Sequence, residues 1–308
     1  MEHCFTIEAA DAGERLDVFL TKKTGLTRSK ISKLTGIDAV RVNDAAVKCG
    51  YRLRAGETIT VSNVNSDESG LLVPEDKHVD IVYQDSHLVV VNKPPFMPMY
   101  PGAGHSGGTL MNALAMKVQS SATVGAPLRP GVVHRIDKDT SGLVVVALDD
   151  DTYYALVEQF KKKEVKRSYK ALIYGKFKED AGVVTLPVGR SASDRKKMST
   201  RSRHPRAAIT NWRVLRQYVG ATLIEAILST GRTHQIRVHF SALGHPLLGD
   251  TCYGNKDNIE IRGAKIKIPR QMLHAAQLGF IHPVTKKLLE FESDIPADMA
   301  AILDLFEK

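Results

Sequence analysis

The chain has 308 residues, 43% apolar and 25% charged, which is ordinary for a globular protein and long enough for about two domains. Cys4, Cys49 and Cys252 are widely spaced thiols without a CxxC pair, so disulfide staples and a structural zinc framework are excluded and a reducing compartment is expected. No uninterrupted apolar run reaches the roughly 18 residues needed to span a bilayer, and the first residues lack a basic segment followed by an apolar one, so a cytoplasmic protein with no membrane partner is expected. The excess of 43 Lys and Arg over 34 Asp and Glu points to a polyanionic partner.

A small module is expected over residues 13–62. Leu16, Phe19 and Leu20 share one face of a helix stopped by Gly25, and "RSKISKLTG" forms a second helix ending at Gly36. A strand follows at Val40 to Asn43, then a turn at Asp44-Ala45, a short strand near Val47 and a last strand at Thr58 to Val61. Ten bases, among them Lys22, Lys23, Arg41, Lys48, Arg52 and Arg54, outnumber five acids, which suits RNA. Polar "SNVNSDESG" opens a linker over 63–78.

The large domain, 79–308, begins with two strands in "VDIVYQDSHLVVVNKPP" that turn at Asp85-Ser86 and end at Pro94-Pro95. Further strands are predicted at Val132-Val133, Leu143 to Leu148, Tyr169 to Tyr174, Ala208 to Leu215, Thr222 to Leu228 and Leu288 to Phe291. Helices are predicted at Leu110 to Lys117, Thr152 to Lys162, Thr233 to Leu243 and Ala297 to Phe306. Runs of strands without a regular βαβ repeat give an α+β class, a mainly antiparallel sheet with flanking helices, preceded by the small α/β module.

In "PGVVHRIDKDTSGLVVVAL", 130–148, His134, Arg135, Asp137, Lys138 and Asp139 interrupt two β-branched runs. An acid held in such a turn is fixed by its scaffold, and Arg135 two residues before it favours the charged form, so Asp137 is a candidate base or nucleophile. Asp139, Thr140 and Ser141 are assigned the ordinary work of closing the turn. A second dense stretch, 229–254, crowds Arg232, His234, Gln235, Arg237 and His239. Metal binding by His234, His239 and His245 is disfavoured, because the spacing matches no common zinc pattern and the two arginines repel a cation. Two basic runs flank the Asp137 motif. Six bases face Glu164 alone over 161–170, and seven, including Arg195, Lys196 and Lys197, face Asp194 alone over 190–206.

"HRIDKDTSGLVVVA", "RSYKALIYG", "RKKM" and "GRTHQIRVHFSALGHPLLGDTCYG" resemble the motifs of the RluA family of RNA pseudouridine synthases in order and spacing, and 13–62 resembles an S-four-type RNA-binding module. The resemblance implies Asp137 as catalytic aspartate, Arg237 as its basic partner and Tyr169 lying against the base. It implies that Arg135 fills the helix when the uridine is flipped out, with Ile236 an apolar pocket neighbour. His134, Arg232, Lys196 and Lys197 are expected on the RNA side of the site. The chain departs from the family at Met99-Tyr100-Pro101, where many members read Val-His before a Pro.

The implied enzyme isomerises uridines in structured RNA, large-subunit ribosomal RNA in the first place with transfer RNA as the alternative, as a monomer, with no cofactor and no metal. A non-catalytic RNA-binding or ribosome-assembly factor is the competing reading, but such a factor has no need of Asp137, Tyr169 and Arg237 together. A metal-dependent deaminase lacks its Cys-x-x-Cys and His-x-Glu pattern.

Overall fold

In the computed structural model, residues 3–26, 28–62, 72–102, 105–194 and 196–307 are described. The chain divides into two compact units, Met1–Gly70 and Leu71–Lys308. In the first, the apolar spacing read from the sequence produces α1 (Leu16–Thr24) and α2 (Arg28–Gly36) after a strand, β1 (His3–Thr6). They are followed by β2 (Val40–Val42), β3 (Ala45–Ala46) and β4 (Thr58–Val61). The four strands form one antiparallel sheet in the order β1-β4-β2-β3. Leu16, Phe19 and Leu20 pack with Ile31, Val40 and Ile59 in its core. Gly25 ends α1 in a left-handed conformation, φ 71°. Lys22, Lys23, Arg41, Lys48, Arg52 and Arg54 are all exposed. β1 precedes residue 13, and β3 forms within the stretch read as a turn. Of the expected linker, 63–71 lie outside the described residues. Val73 and Glu75, beyond them, bond the backbone and side chain of Asn112.

The second unit opens with the hairpin β5 (Asp80–Gln84) and β6 (Leu88–Lys93), followed by α3 (Leu110–Lys117), β7 (Ser141–Ala147), α4 (Asp150–Lys162) and β8 (Lys166–Tyr174). Then come β9 (Ala181–Val184), the short pair β10 (Gly189–Arg190) and β11 (Met198–Ser199), β12 (Thr210–Gln217), β13 (Ala221–Leu228) and α5 (Gln235–Ala242). A hairpin of β14 (Asn258–Ile261) and β15 (Ala264–Lys267) leads to β16 (Leu273–Ile281), β17 (Leu288–Glu292) and α6 (Ala297–Glu307). Among the described residues, nine strands make the main sheet in the order β5-β6-β7-β16-β8-β13-β12-β9, with β17 also on β16. The class is α+β, and the sheet is antiparallel except where β16 runs parallel to β7. Gly142 is required at that junction, since a Cβ on it would stand 2.2 Å from the Ala275 carbonyl oxygen.

Two sequence expectations need correction. Val132 makes only an isolated bridge to Val146, so the polar motif is preceded by loop, and regular strand begins at Ser141. The central strand β16 was not foreseen. "LHAAQLGFI" shows neither alternation nor a β-branched run, because it is buried almost throughout and its polar members are satisfied internally. His274, for example, lies 3.0 Å from the Ser141 hydroxyl through Nδ1.

Candidate active site

The loop before β7 is held by side chains from distant segments. Lys93, fully buried, donates its ammonium to the carbonyls of Pro94 and Met97 at 2.8 Å and of Lys138 at 3.0 Å. Burial pushes Lys93 down to about 7, opposed by Asp139. Arg270 donates to the Asp139 carbonyl at 3.0 Å while a bidentate pair with Asp298 of α6 anchors it. Within the loop, the Thr140 N–H donates to the Asp137 carbonyl at 3.1 Å. The turn is therefore closed in part by Thr140, as expected, and clasped through its backbone by Lys93 and Arg270.

Asp137 projects from this loop toward α5. Its Oδ2 accepts from Arg237 Nη1 at 2.9 Å. Its Oδ1 faces His234 Nε2 at 3.7 Å, too long for a hydrogen bond. Arg237 in turn donates to Asp250 through Nε at 2.7 Å and Nη2 at 3.0 Å. Burial opposes the charge on Arg237, but the bonds to Asp250 and the field of both carboxylates outweigh it and hold the guanidinium charged beyond the ordinary arginine range. The expected pairing of Arg135 with Asp137 is absent. Arg135 is exposed and donates from Nη1 to the Tyr100 hydroxyl at 3.0 Å, lying over that ring. Tyr100 is the departure from the family pattern noted in the sequence.

The turn into α5 places His234 at φ 54°, a left-handed conformation unusual for a residue with a Cβ. The neighbouring Gln235 fixes it. Its carbonyl accepts from the Thr230 hydroxyl at 2.8 Å and the Arg232 N–H at 3.0 Å. Its amide donates to Ile209 O and Thr210 Oγ1, both at 3.0 Å. His234 Nδ1 is 2.7 Å from the Tyr253 hydroxyl, which also accepts from the Met198 N–H at 2.9 Å. Burial lowers His234, against the pull of Asp137, and pushes Tyr253 up to about 12, so both are neutral near pH 7. Tyr253 also lies 5.0 Å below the Arg237 guanidinium.

These groups open onto a pocket of about 560 Å³, within the range that encloses a small ligand. Tyr169, Ile236, Leu228 and Leu273 form its apolar wall. Burial raises Tyr169 above the ordinary phenol value, which keeps it neutral. His134, Arg135 and Arg232 also line the pocket. The His134 Nε2, however, accepts from the Val145 N–H at 3.0 Å, so one ring nitrogen serves the scaffold. Arg232 donates from Nε to the Ala207 carbonyl at 3.2 Å. Lys196 and Lys197 are not brought to the pocket; they sit on the loop between β10 and β11, where their N–H groups bond Asp194. Arg195 lies outside the described residues. Nor do the three histidines weighed as metal ligands converge: His239 is fixed between Thr210 and Leu186, and His245 between the Tyr174 carbonyl and the Phe177 ring. Among the described residues no group of three or more His, Cys, Asp or Glu is arranged to hold a metal.

The sequence reading overlooked Asp250, Tyr253 and Arg167 as site residues. Asp250 was visible as a lone acid in a basic and apolar stretch; Arg167 and Tyr253 lie inside the quoted motifs, but nothing local set them apart from their neighbours there.

Residues 87–242 match the family model described as RNA pseudouridylate synthase. The chain belongs to this family. This pseudouridine synthase is 39% identical over 304 residues to the uncharacterized RNA pseudouridine synthase YlyB of Bacillus subtilis, covering 98% of this chain and 97% of that protein. It is 38% identical over 294 residues to the ribosomal large subunit pseudouridine synthase D of Nitrosomonas europaea, covering 95% of this chain and 84% of that one. Among solved structures it resembles human RNA pseudouridylate synthase domain containing 1, with a TM-score of 0.56 at 28% identity, over 71% of this chain and 84% of that chain. No helix among the described residues of the synthase is long and apolar enough to cross a membrane.

Proposed function

We propose that the synthase isomerises uridines of large-subunit ribosomal RNA, working as a cytoplasmic monomer, with Asp137 as the reacting carboxylate. The observation that carries this reading is the asymmetry of Asp137. One oxygen is held by Arg237 and the other, Oδ1, has no hydrogen bond among the described residues and faces the pocket. The ribosomal target rests on the names of relatives such as that of Nitrosomonas europaea.

The isomerisation breaks the bond from ribose C1′ to uracil N1 and forms one from C1′ to C5. A proton leaves C5 and one is gained at N1, so atoms and electrons balance within the substrate. Oδ1 serves by attack on C1′, by attack on the ring, or by removal of a sugar proton, and each needs a charged, oriented carboxylate. Arg237 orients it through the bond from Nη1 to Oδ2. The base reaches Asp137 only after leaving its stack, at a cost of a few kcal/mol. Contact with the Tyr169 ring, and Arg135 in the vacated helix position, offset that cost. The exposed bases of the first unit add affinity for phosphates.

The test is to incubate unmodified transcripts of large-subunit ribosomal RNA, and of transfer RNA for comparison, with the protein in the presence of a chelator, and to map pseudouridine. Site-specific conversion of the ribosomal transcript, abolished in Asp137→Asn while RNA affinity is kept, is expected. Turnover by purified Asp137→Asn, or conversion confined to transfer RNA, would overturn the corresponding part.

A further inference from the structure

Among the described residues, Arg167 is a buried cation with no counter-ion. It is 7% exposed, and its Nε is buried without a hydrogen-bond partner. Among the described residues its guanidinium makes no hydrogen bond and no ion pair, and it lies over the face of the Phe160 ring, 5.1 Å from the centroid. Burial without a counter-ion costs several kcal/mol per ion even after relaxation, which is why such groups are nearly always paired.

Strand geometry explains the lack of a partner. Alternate residues of β8 point to one face, so Arg167 shares the pocket side with Tyr169, while Ser168 points to the other. The nearby acid, Glu225, is on that other side, where Ser168 donates to it at 2.6 Å and Arg213 pairs with it. Arg167 is thus aimed into the pocket, whose described lining holds Arg135, Lys161, Lys163, Arg167, Arg232 and Arg237 against the single acid Asp137. Room for the guanidinium is made by Gly231, on which a Cβ would stand 2.7 Å from Arg167 Nη1.

We propose that Arg167 is a substrate-binding residue that takes a phosphodiester flanking the extruded uridine, completing its ion pair only when RNA is bound. The proposal rests on the reading of this pocket as the pseudouridylation site. Two residues along β8, about 6.6 Å, separate Arg167 from Tyr169, so a nucleotide whose base lies on Tyr169 has its backbone near Arg167. A phosphodiester carries its full charge in the bound ground state and accepts two guanidinium donors at once, which suits a planar fork already stripped of water. Lys161 and Lys163 continue the basic track at the end of α4. By contrast, charge on the uracil is only transient.

The experiment uses the full-length protein and a ribosomal stem-loop containing a uridine that the wild type converts in an unmodified transcript. For Arg167→Met, Kd should rise on the order of 10- to 100-fold, the value of one charge-assisted contact. The slope of log K against log salt should fall by about one. The single-turnover rate at saturating enzyme should stay within about threefold. Tm should not fall, because methionine replaces an unpaired buried charge with apolar volume. Gly231→Ala should weaken binding in the same direction by displacing the guanidinium, with Tm kept. Neutral methylphosphonates flanking the uridine should cost the wild type the same factor and Arg167→Met nothing further.

Wild-type affinity and salt slope in Arg167→Met, or a loss of affinity that persists on the neutral backbone, would overturn the proposal. So would a slowed single-turnover rate with unchanged Kd, which would assign the guanidinium to the uracil, or a lowered Tm, which would assign it to the fold. Absence of conversion by the wild type would instead refute the enzymatic reading, and the salt slope of binding to the unmodified transcript still decides the phosphate contact.

Discussion

Asp250 takes one edge of the Arg237 guanidinium, through Nε at 2.7 Å and Nη2 at 3.0 Å, and leaves Nη1 for Asp137. Its Oδ1 is further fixed by the N–H groups of Cys252 and Tyr253, each at 3.1 Å. The Asp137 carboxylate is thus oriented, through Arg237, by a second, fully buried carboxylate.

Asp250→Asn should therefore impair chemistry more than binding. The amide keeps the shape but presents donors to an arginine that needs acceptors, so Arg237 loses its fixed direction. We expect the single-turnover rate at saturating enzyme to fall about 100-fold, with RNA affinity changed less than threefold and stability lowered by about 3 kcal/mol. An unchanged rate would mean that Arg237 is held by Asp137 alone.

The Arg270–Asp298 pair links α6 to the loop bearing Asp137. Asp298→Ala leaves a buried guanidinium without its carboxylate, so unfolding in denaturant should show a loss of about 3 kcal/mol. Turnover should drop about tenfold, because Arg270 no longer clasps the Asp139 carbonyl at a fixed position. Asp298→Glu should recover part of both, and recovery of neither would place the effect elsewhere in α6.

Asp85 predicts a pH dependence of folding. Burial alone would raise its carboxyl. The N–H groups of His87 and Leu88, the Tyr83 hydroxyl and His282 Nε2 donate to it and bring it down to about 2. His282 Nδ1 accepts from the N–H groups of Val284 and Thr285, which places the proton on Nε2. A folded value below the unfolded one stabilises the protein above the unfolded value near 4, and the contribution is lost as pH falls toward about 2. At pH 7 it amounts to about 2 kcal/mol. Asp85→Asn should show that deficit at pH 6 and roughly half of it at pH 3, measured by denaturant unfolding; a deficit independent of pH would sink this account.

The basic first unit is expected to bear on RNA affinity. Residues 71–308 form a compact unit of their own, so removal of 1–70 should leave it folded and the single-turnover rate at saturation within about threefold. RNA Kd should rise at least tenfold, and the salt dependence should become shallower, as fewer counterions are released. An unaltered slope would mean that Lys22, Arg41, Arg52 and their neighbours do not meet phosphates.

Local sequence determined what depends on short-range order. The apolar spacing of Leu16, Phe19 and Leu20 sets a helix, the β-branched run at 88–93 sets a strand, and the Asp-centred loop and "GRTHQIR" carry the residues that line one pocket. Asp137, Arg237, Tyr169 and Ile236 were legible because each lies inside such a motif. What only the tertiary structure decided is partnership across the chain. Arg237 and Asp137 are 100 residues apart, and whether Arg135 or Arg237 neutralises the carboxylate depends on how α5 packs against the loop. Lys93 and Arg270 clasp that loop through backbone carbonyls, which every residue possesses and no side-chain pattern can announce. The strand β16 hid for the same reason: buried on both faces, it has no solvent side to impose alternation. Arg167 looked like one more base in a basic run, and only the strand that turns it inward, away from Glu225, makes it a buried charge in want of an anion.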